Sequence, residues 1–134
     1  MTRVNKRRQV LIVEDEKDLA LLMAKIFRKN RIRTVIKTNA KEAIRYLEHQ
    51  NLHADAMILD LRLPDMSGLE VLKRCRSLRS NQSRMRIMVV SAFGSPEVKE
   101  EALRLGADAF ADKPVQLETL LHFVTGKMAE RLSC

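Results

Sequence analysis

The residues best suited to chemistry in this chain are polar groups that close short apolar runs. Glu14 and Asp15 follow the run Val10 to Val13, and Asp60 follows Ala56 to Leu59. Ser91 ends a third run, and Lys113-Pro114 follows a fourth. If these runs are neighbouring strands of a parallel α/β sheet, their carboxyl ends meet at one edge, where such sheets bind ligands. Three carboxylates, a hydroxyl and an ammonium at that edge suit a divalent cation and a phosphoryl group. With Glu14, Asp15 and Asp60 ionised and Lys113 protonated, the local formal charge is minus three plus one, or minus two. Two like charges roughly 4 Å apart at an effective dielectric near 20 cost on the order of 4 kcal/mol, so the cluster must raise a carboxylate pKa or recruit a cation. Oxygen donors without His or Cys alongside favour Mg²⁺ over zinc, with Mn²⁺ as a substitute. Water, a backbone carbonyl assigned to Arg62 and incoming phosphate oxygens would complete the shell. With a cation bound, Asp60 can attack phosphorus in line while Lys113 and the Ser91 hydroxyl hold the remaining oxygens.

The elements that must position these groups follow from hydrophobic period. Gln9 to Val13 reads as a buried strand, and Leu19, Leu22, Met23, Ile26 and Phe27 recur behind it at helical spacing. Thr34 to Lys37 is a short β-branched strand, and Asn39 caps a helix with the apolar face Ala40, Ala43, Ile44 and Leu47. Asp55 to Leu59 is the third strand. The turn-rich loop Leu63-Pro64-Asp65-Met66-Ser67-Gly68 leads from it into a helix carrying Leu69, Val71, Leu72 and Cys75. After the polar connection Arg79 to Arg84, Ile87 to Val90 forms a fourth strand, and Ser95-Pro96 opens a helix closed by Leu103 and Gly106. Ala109-Phe110-Ala111 is the fifth strand; Leu117, Leu120, Leu121 and Val124 mark the last helix. Alternation of this kind predicts a doubly wound five-stranded parallel sheet with helices on both faces. A flavodoxin-like order 2-1-3-4-5 sets strands one and three side by side and brings Asp15 opposite Asp60.

Composition narrows the function classes. At 134 residues and 46% apolar content the chain holds one core, expected over residues 9–127, with a basic tail at 1–8 and a short end at 128–134. No apolar stretch approaches the roughly 20 residues of a membrane span and no signal-type segment follows the basic amino terminus, so a soluble, cytoplasmic protein is expected. Cys75 and Cys134 have neither disulfide nor metal-knuckle spacing. The net charge of +8 gathers in the tail, in Lys25 to Arg33 and in Lys73 to Arg86. Aromatic content of 4% and the lack of a reading element argue against direct nucleic-acid recognition. His49, His53 and His122 show no ligand spacing and read as surface or helix-face residues; Met23, Met57 and Met88 read as core filler.

Taken in order and spacing, Ile12-Val13-Glu14-Asp15, Leu59-Asp60 before the Leu63 to Gly68 loop, Ser91-Ala92, Gly106-Ala107-Asp108 and Lys113-Pro114 resemble a response-regulator receiver domain. The resemblance implies that Asp60 accepts a phosphoryl group from a phosphohistidine on a sensor histidine kinase or phosphotransfer protein, and that Glu14 and Asp15 bind Mg²⁺ with Asp60. It implies further that Ser91 and Lys113 read the phosphate and that Phe110 turns inward behind Ser91. The switched surface is then the last helix, strand and helix, offered to a downstream effector or to a second copy. Val115 stands where the family often has phenylalanine, and no run of charged pairs marks the last helix as in one dimerising subgroup.

Two further classes fit less well. A flavin phosphate would need small hydroxyl or glycine residues after the first strand, where this chain has Glu14-Asp15-Glu16-Lys17-Asp18. Hydrolases that pass through an aspartyl phosphate typically place a second acid two residues after the nucleophile. That position is Arg62, so the chain is expected to modify itself and not to turn over a substrate. Arg62 and Phe93 are expected at the mouth of the site, tuning water access.

Overall fold

A computed structural model describes residues 8–49, 52–78, 85–92 and 94–126. Phe93, the connection 79–84, tail residues 1–7 and the end from 127 onward lie outside the described residues. Five strands alternate with five helices: β1 (Gln9–Val13), α1 (Lys17–Lys29), β2 (Arg33–Lys37), α2 (Ala40–Glu48), β3 (Ala56–Asp60), α3 (Gly68–Arg76), β4 (Arg86–Ser91), α4 (Pro96–Arg104), β5 (Ala109–Asp112) and α5 (Leu117–Thr125). All pairings are parallel, in the order β2-β1-β3-β4-β5. The expected fold class and order both hold.

The pleat sorts each strand onto two faces. Leu11, Val13, Met57, Leu59, Ile87 and Val89 pack against α2, α3 and α4 through residues such as Ala43, Leu47, Val71, Leu72 and Ala102. Val10, Ile12, Ile58, Met88 and Val90 point the other way, against Met23 and Phe27 of α1 and Leu120 and Phe123 of α5. Strands covered on both sides must be apolar throughout, which is why β3 is buried at every position.

The helix starts match their caps. Asn39 Oδ1 accepts from the Glu42 amide at 2.9 Å, Ser67 Oγ from the Leu69 amide at 3.1 Å, and Ser95 Oγ from the Val98 amide at 3.2 Å, with Pro96 in the first turn. One helix face differs from the expected one: Leu22 of α1 is 49% exposed, while Ala20 and Ala24 are buried in its stead. In α4 Ala102 is likewise buried while Leu103 is 42% exposed. Small side chains let α1 and α4 lie close to the sheet, and the bulky neighbours turn outward.

The end of α1 is a Schellman turn. The Ile32 amide donates to the Phe27 carbonyl and the Arg31 amide to the Arg28 carbonyl, each at 3.0 Å. Arg31 sits at φ 63°, in the left-handed region, where glycine is the inexpensive residue and a side chain costs about 1–2 kcal/mol. On the opposite face, Arg76 at the end of α3 donates to the Gly106 carbonyl through Nε at 3.0 Å and Nη2 at 2.7 Å, and to the Met85 carbonyl through Nη1 at 2.5 Å. Its Nη2 also reaches Asp108 Oδ2 at 3.0 Å, an oxygen that accepts from the Ile87 amide at 2.8 Å. The Gly106-Ala107-Asp108 motif is thus a clamp joining α3 to the starts of β4 and β5.

Candidate functional site

The junction of β1 and β3 brings Glu14 and Asp60 to one edge. Asp60 is the last residue of β3 and Ser91 the last of β4, so both are held by sheet pairing instead of standing in the loops beyond the strands. Lys113 follows β5, its amide donating to the Ser91 carbonyl at 2.9 Å. Its ammonium lies 2.8 Å from Glu14 Oε1 and 3.0 Å from Asp60 Oδ2, bridging two carboxylates that are 1% and 3% exposed. The remaining oxygens are also held: Asp60 Oδ1 accepts from the Arg62 amide at 3.0 Å and Glu14 Oε2 from the Glu16 amide at 3.2 Å.

Asp15 differs from its neighbour. It is exposed, yet a carboxylate oxygen of Glu14, Asp15 and Asp60 can each lie within 4.8 Å of the others. Burial raises the Glu14 pKa above 4.5, and the nearby Asp60 charge adds to this against the Lys113 hydrogen bond. Burial opposes charging of Lys113, but its hydrogen bonds to Glu14 and Asp60 and their negative charge outweigh it and hold the pKa above 10.5. The ammonium is therefore a fixed positive charge. The donor set of three carboxylates, without nitrogen or sulfur, fits a hard divalent cation.

The cleft over this cluster has a volume of about 360 Å³ and is walled by Glu16, Arg62, Leu63, Pro64 and Ala92 besides the acids and Lys113. Arg62 is exposed and lines the cleft. Ser91 is 3% exposed at the end of β4. Phe110 is partly buried on the α2 to α4 side, with its ring against Gly94, where an added Cβ would lie 2.6 Å away. His49 and His53 are exposed, whereas His122 on α5 is only 8% exposed. Its position on a helix face holds; a surface position does not.

Sequence reasoning missed what supports the cluster. Gly68 reads as a turn residue, but an added Cβ would stand 2.3 Å from the Asp60 carbonyl oxygen, so α3 can begin there only without a side chain. Asp65 accepts from the Ala40 amide at 2.8 Å and the Lys41 amide at 2.9 Å, tying the loop after Asp60 to the start of α2. The Asp-Met-Ser-Gly spacing was visible; the partners, some 25 residues away, were not.

Residues 10–125 match the family described as Response regulator receiver domain. The chain belongs to that family. Response regulator RppA of Synechocystis is 34% identical over 113 residues, covering 84% of this chain and 47% of RppA. Sporulation initiation phosphotransferase F of Bacillus subtilis is 27% identical, covering 84% of this chain and 86% of that protein. The crystal structure of a CheY-like response regulator receiver domain protein from Methanospirillum hungatei superposes with a TM-score of 0.83 at 28% identity, covering 96% of this chain and 98% of that one. The chain spans about half the length of RppA and 24% of the regulatory protein AtoC of Escherichia coli. This is a receiver domain of two-component signalling, and its acidic cluster is consistent with divalent-cation binding.

Proposed function

We propose that this receiver takes a phosphoryl group on Asp60 from a phosphohistidine of a sensor kinase or phosphotransfer protein. The observation that carries it is the Lys113 ammonium fixed between Glu14 and Asp60 beside an open Asp15. In the transfer a carboxylate oxygen of Asp60 forms a bond to phosphorus, the bond from phosphorus to the imidazole nitrogen breaks, and that nitrogen recovers a proton from water. Lys113 stays protonated and passes from neutralising the carboxylate to neutralising the phosphoryl oxygens. Asp15, Asp60, Glu14 and the Arg62 carbonyl would hold Mg²⁺, which supplies further charge neutralisation on those oxygens.

The added charge of about −1.5 to −2 draws donors toward it, and the Ser91 hydroxyl at the end of β4 is the one that links the site to the loop before α4. Movement there unseats Gly94 from the Phe110 ring and alters the α4-β5-α5 face, which meets an effector or a second copy. With Arg62 two residues after Asp60, the cleft has no second acid in that position to activate water. The protein therefore catalyses its own phosphorylation and slow dephosphorylation without being a turnover enzyme.

The test is incubation with Mg²⁺ and acetyl phosphate, read by intact mass. Wild type should gain one phosphoryl group, dependent on Mg²⁺, and Asp60→Asn none. Equal labelling of both proteins would move the acceptor role elsewhere.

A further inference from the structure

The charge concentrated in Lys25 to Arg33 is not used by the site above. Five of these nine residues are cationic and none is acidic. Three of the five, Arg28, Arg31 and Arg33, line one cavity of about 350 Å³ together with Gln9, Ile32 and Thr34. It opens at the amino-terminal edge of the sheet. Gln9 starts β1 and Glu14 follows its end, so five residues at about 3.3 Å each put roughly 16 Å between this pocket and the acid cluster.

Arg28 and Lys29 alone would be explained by the negative end of the α1 dipole, which basic side chains in the last turn complement. Arg31 and Arg33 lie beyond the helix, and Arg31 holds a backbone conformation that glycine would adopt without cost. None of the three guanidinium groups has an ion pair among the described residues. Asp55, at the start of β3, is turned to the Gln9 amide at 2.8 Å and to His53 at 3.0 Å.

A second observation concerns a residue of the same cavity. The Thr34 hydroxyl oxygen is buried and has no hydrogen-bond partner, although Thr34 lines the pocket. A buried hydroxyl is normally satisfied, and one without a partner among the described residues, on a residue that shares a cavity with three arginines lacking ion pairs there, calls for an oxygen-rich anion. The volume falls in the range of small-molecule sites. Guanidinium forks match phosphate oxygens in pairs, and several forks suit more than one phosphate. Among the described residues no aromatic side chain lines the pocket, so they offer a base no stacking face.

We propose that this pocket is a binding site for a compact oligophosphate, such as pyrophosphate or the diphosphate arm of a nucleotide, read through its phosphates alone. Arg28, Arg31 and Arg33 clasp the anion, and the Thr34 hydroxyl donates to it. The site stands whether or not Asp60 is phosphorylated.

The probe is sodium pyrophosphate, titrated calorimetrically into the full chain at low ionic strength with a chelator present. Wild type should bind one ion. Arg31→Gly with Arg33→Gln should weaken binding at least about tenfold, the loss expected for charge-assisted contacts, and Thr34→Val should weaken it several-fold. Arg31→Gly suits its backbone and Thr34→Val removes an unpaired polar atom, so both should melt no lower than wild type. Asp60→Asn and Lys99→Gln, the latter an exposed charge on α4, should bind as wild type does. ADP should bind about as tightly as pyrophosphate, and orthophosphate at least about tenfold more weakly. Several ions per chain, no heat at all, or equal weakening by Lys99→Gln would overturn the site in favour of a diffuse positive surface. Binding to phosphatidylglycerol vesicles that pyrophosphate does not displace would overturn it in favour of a membrane surface.

Discussion

Lys113→Met should destabilise the folded domain far more than removal of a surface lysine. The ammonium lies within 3.0 Å of two carboxylates, and the lysine side chain is only 17% exposed. Without it, Glu14 and Asp60 keep carboxylate oxygens within 4.8 Å of each other in a nearly dry pocket. At that separation and an effective dielectric near 20, the repulsion is about 3.5 kcal/mol. This falls inside the roughly 3–5 kcal/mol seen when one partner of a buried ion pair is deleted. With a urea dependence of about 2 kcal/mol per molar, the unfolding midpoint should fall by about 2 M at pH 7 in the presence of a chelator. The pH dependence has a definite sign. Burial first, and Asp60 second, raise the folded-state pKa of Glu14 above 4.5, so the folded protein binds a proton more readily than the unfolded chain. The stability this contributes is present below the unfolded value and is lost as pH rises through the folded one. Removing Lys113 takes away the hydrogen bond and charge that oppose the shift, so the deficit should shrink between pH 7 and pH 5. Glu14→Gln added to Lys113→Met should recover most of the loss, because Asp60 and Asp15 then face one fewer charge. A deficit below about 1 kcal/mol, the range of an exposed ion pair, would show that the ammonium is not what holds these acids together.

Three other outcomes follow from the same packing. Gly68→Ala forces a methyl group against the Asp60 carbonyl, so it should cost about 1–3 kcal/mol in urea melts and slow acetyl-phosphate labelling of Asp60. Arg76→Ala removes the guanidinium donors to the Met85 and Gly106 carbonyls and leaves Asp108 with the Ile87 amide; thermal unfolding should register a loss of about 2–3 kcal/mol with labelling retained. Mg²⁺ at about 100 times its dissociation constant should stabilise wild type by about 2.7 kcal/mol, an increment that Asp15→Asn reduces and a chelator abolishes.

The fold was legible in the sequence because its signals are local. Apolar runs of strand length, amphipathic spacing between them and the caps Asn39 and Ser95 each constrain only a few neighbouring residues. The site's membership was legible for a related reason: parallel strands deliver whatever follows them to a single edge, so Glu14, Asp15, Asp60, Ser91 and Lys113 had to share it once the strand order was right. What could not be read is how that edge divides adjacent residues between protein and solvent. Glu14 and Asp15 look equivalent as letters, yet Glu14 is buried against Lys113 while Asp15 is exposed. The same loss of information affects α1, where Ala20 and Ala24 pack on the sheet and Leu22 does not, because close approach favours the small side chain over the more apolar one. Gly68 is the limiting case: its requirement is set by a backbone oxygen eight positions earlier, which becomes its neighbour only after β3 and α3 are in place. An acid pair after a strand therefore predicts a charged cleft, but the division of labour, with Glu14 anchoring Lys113 and Asp15 left open to a cation, arises only from tertiary packing.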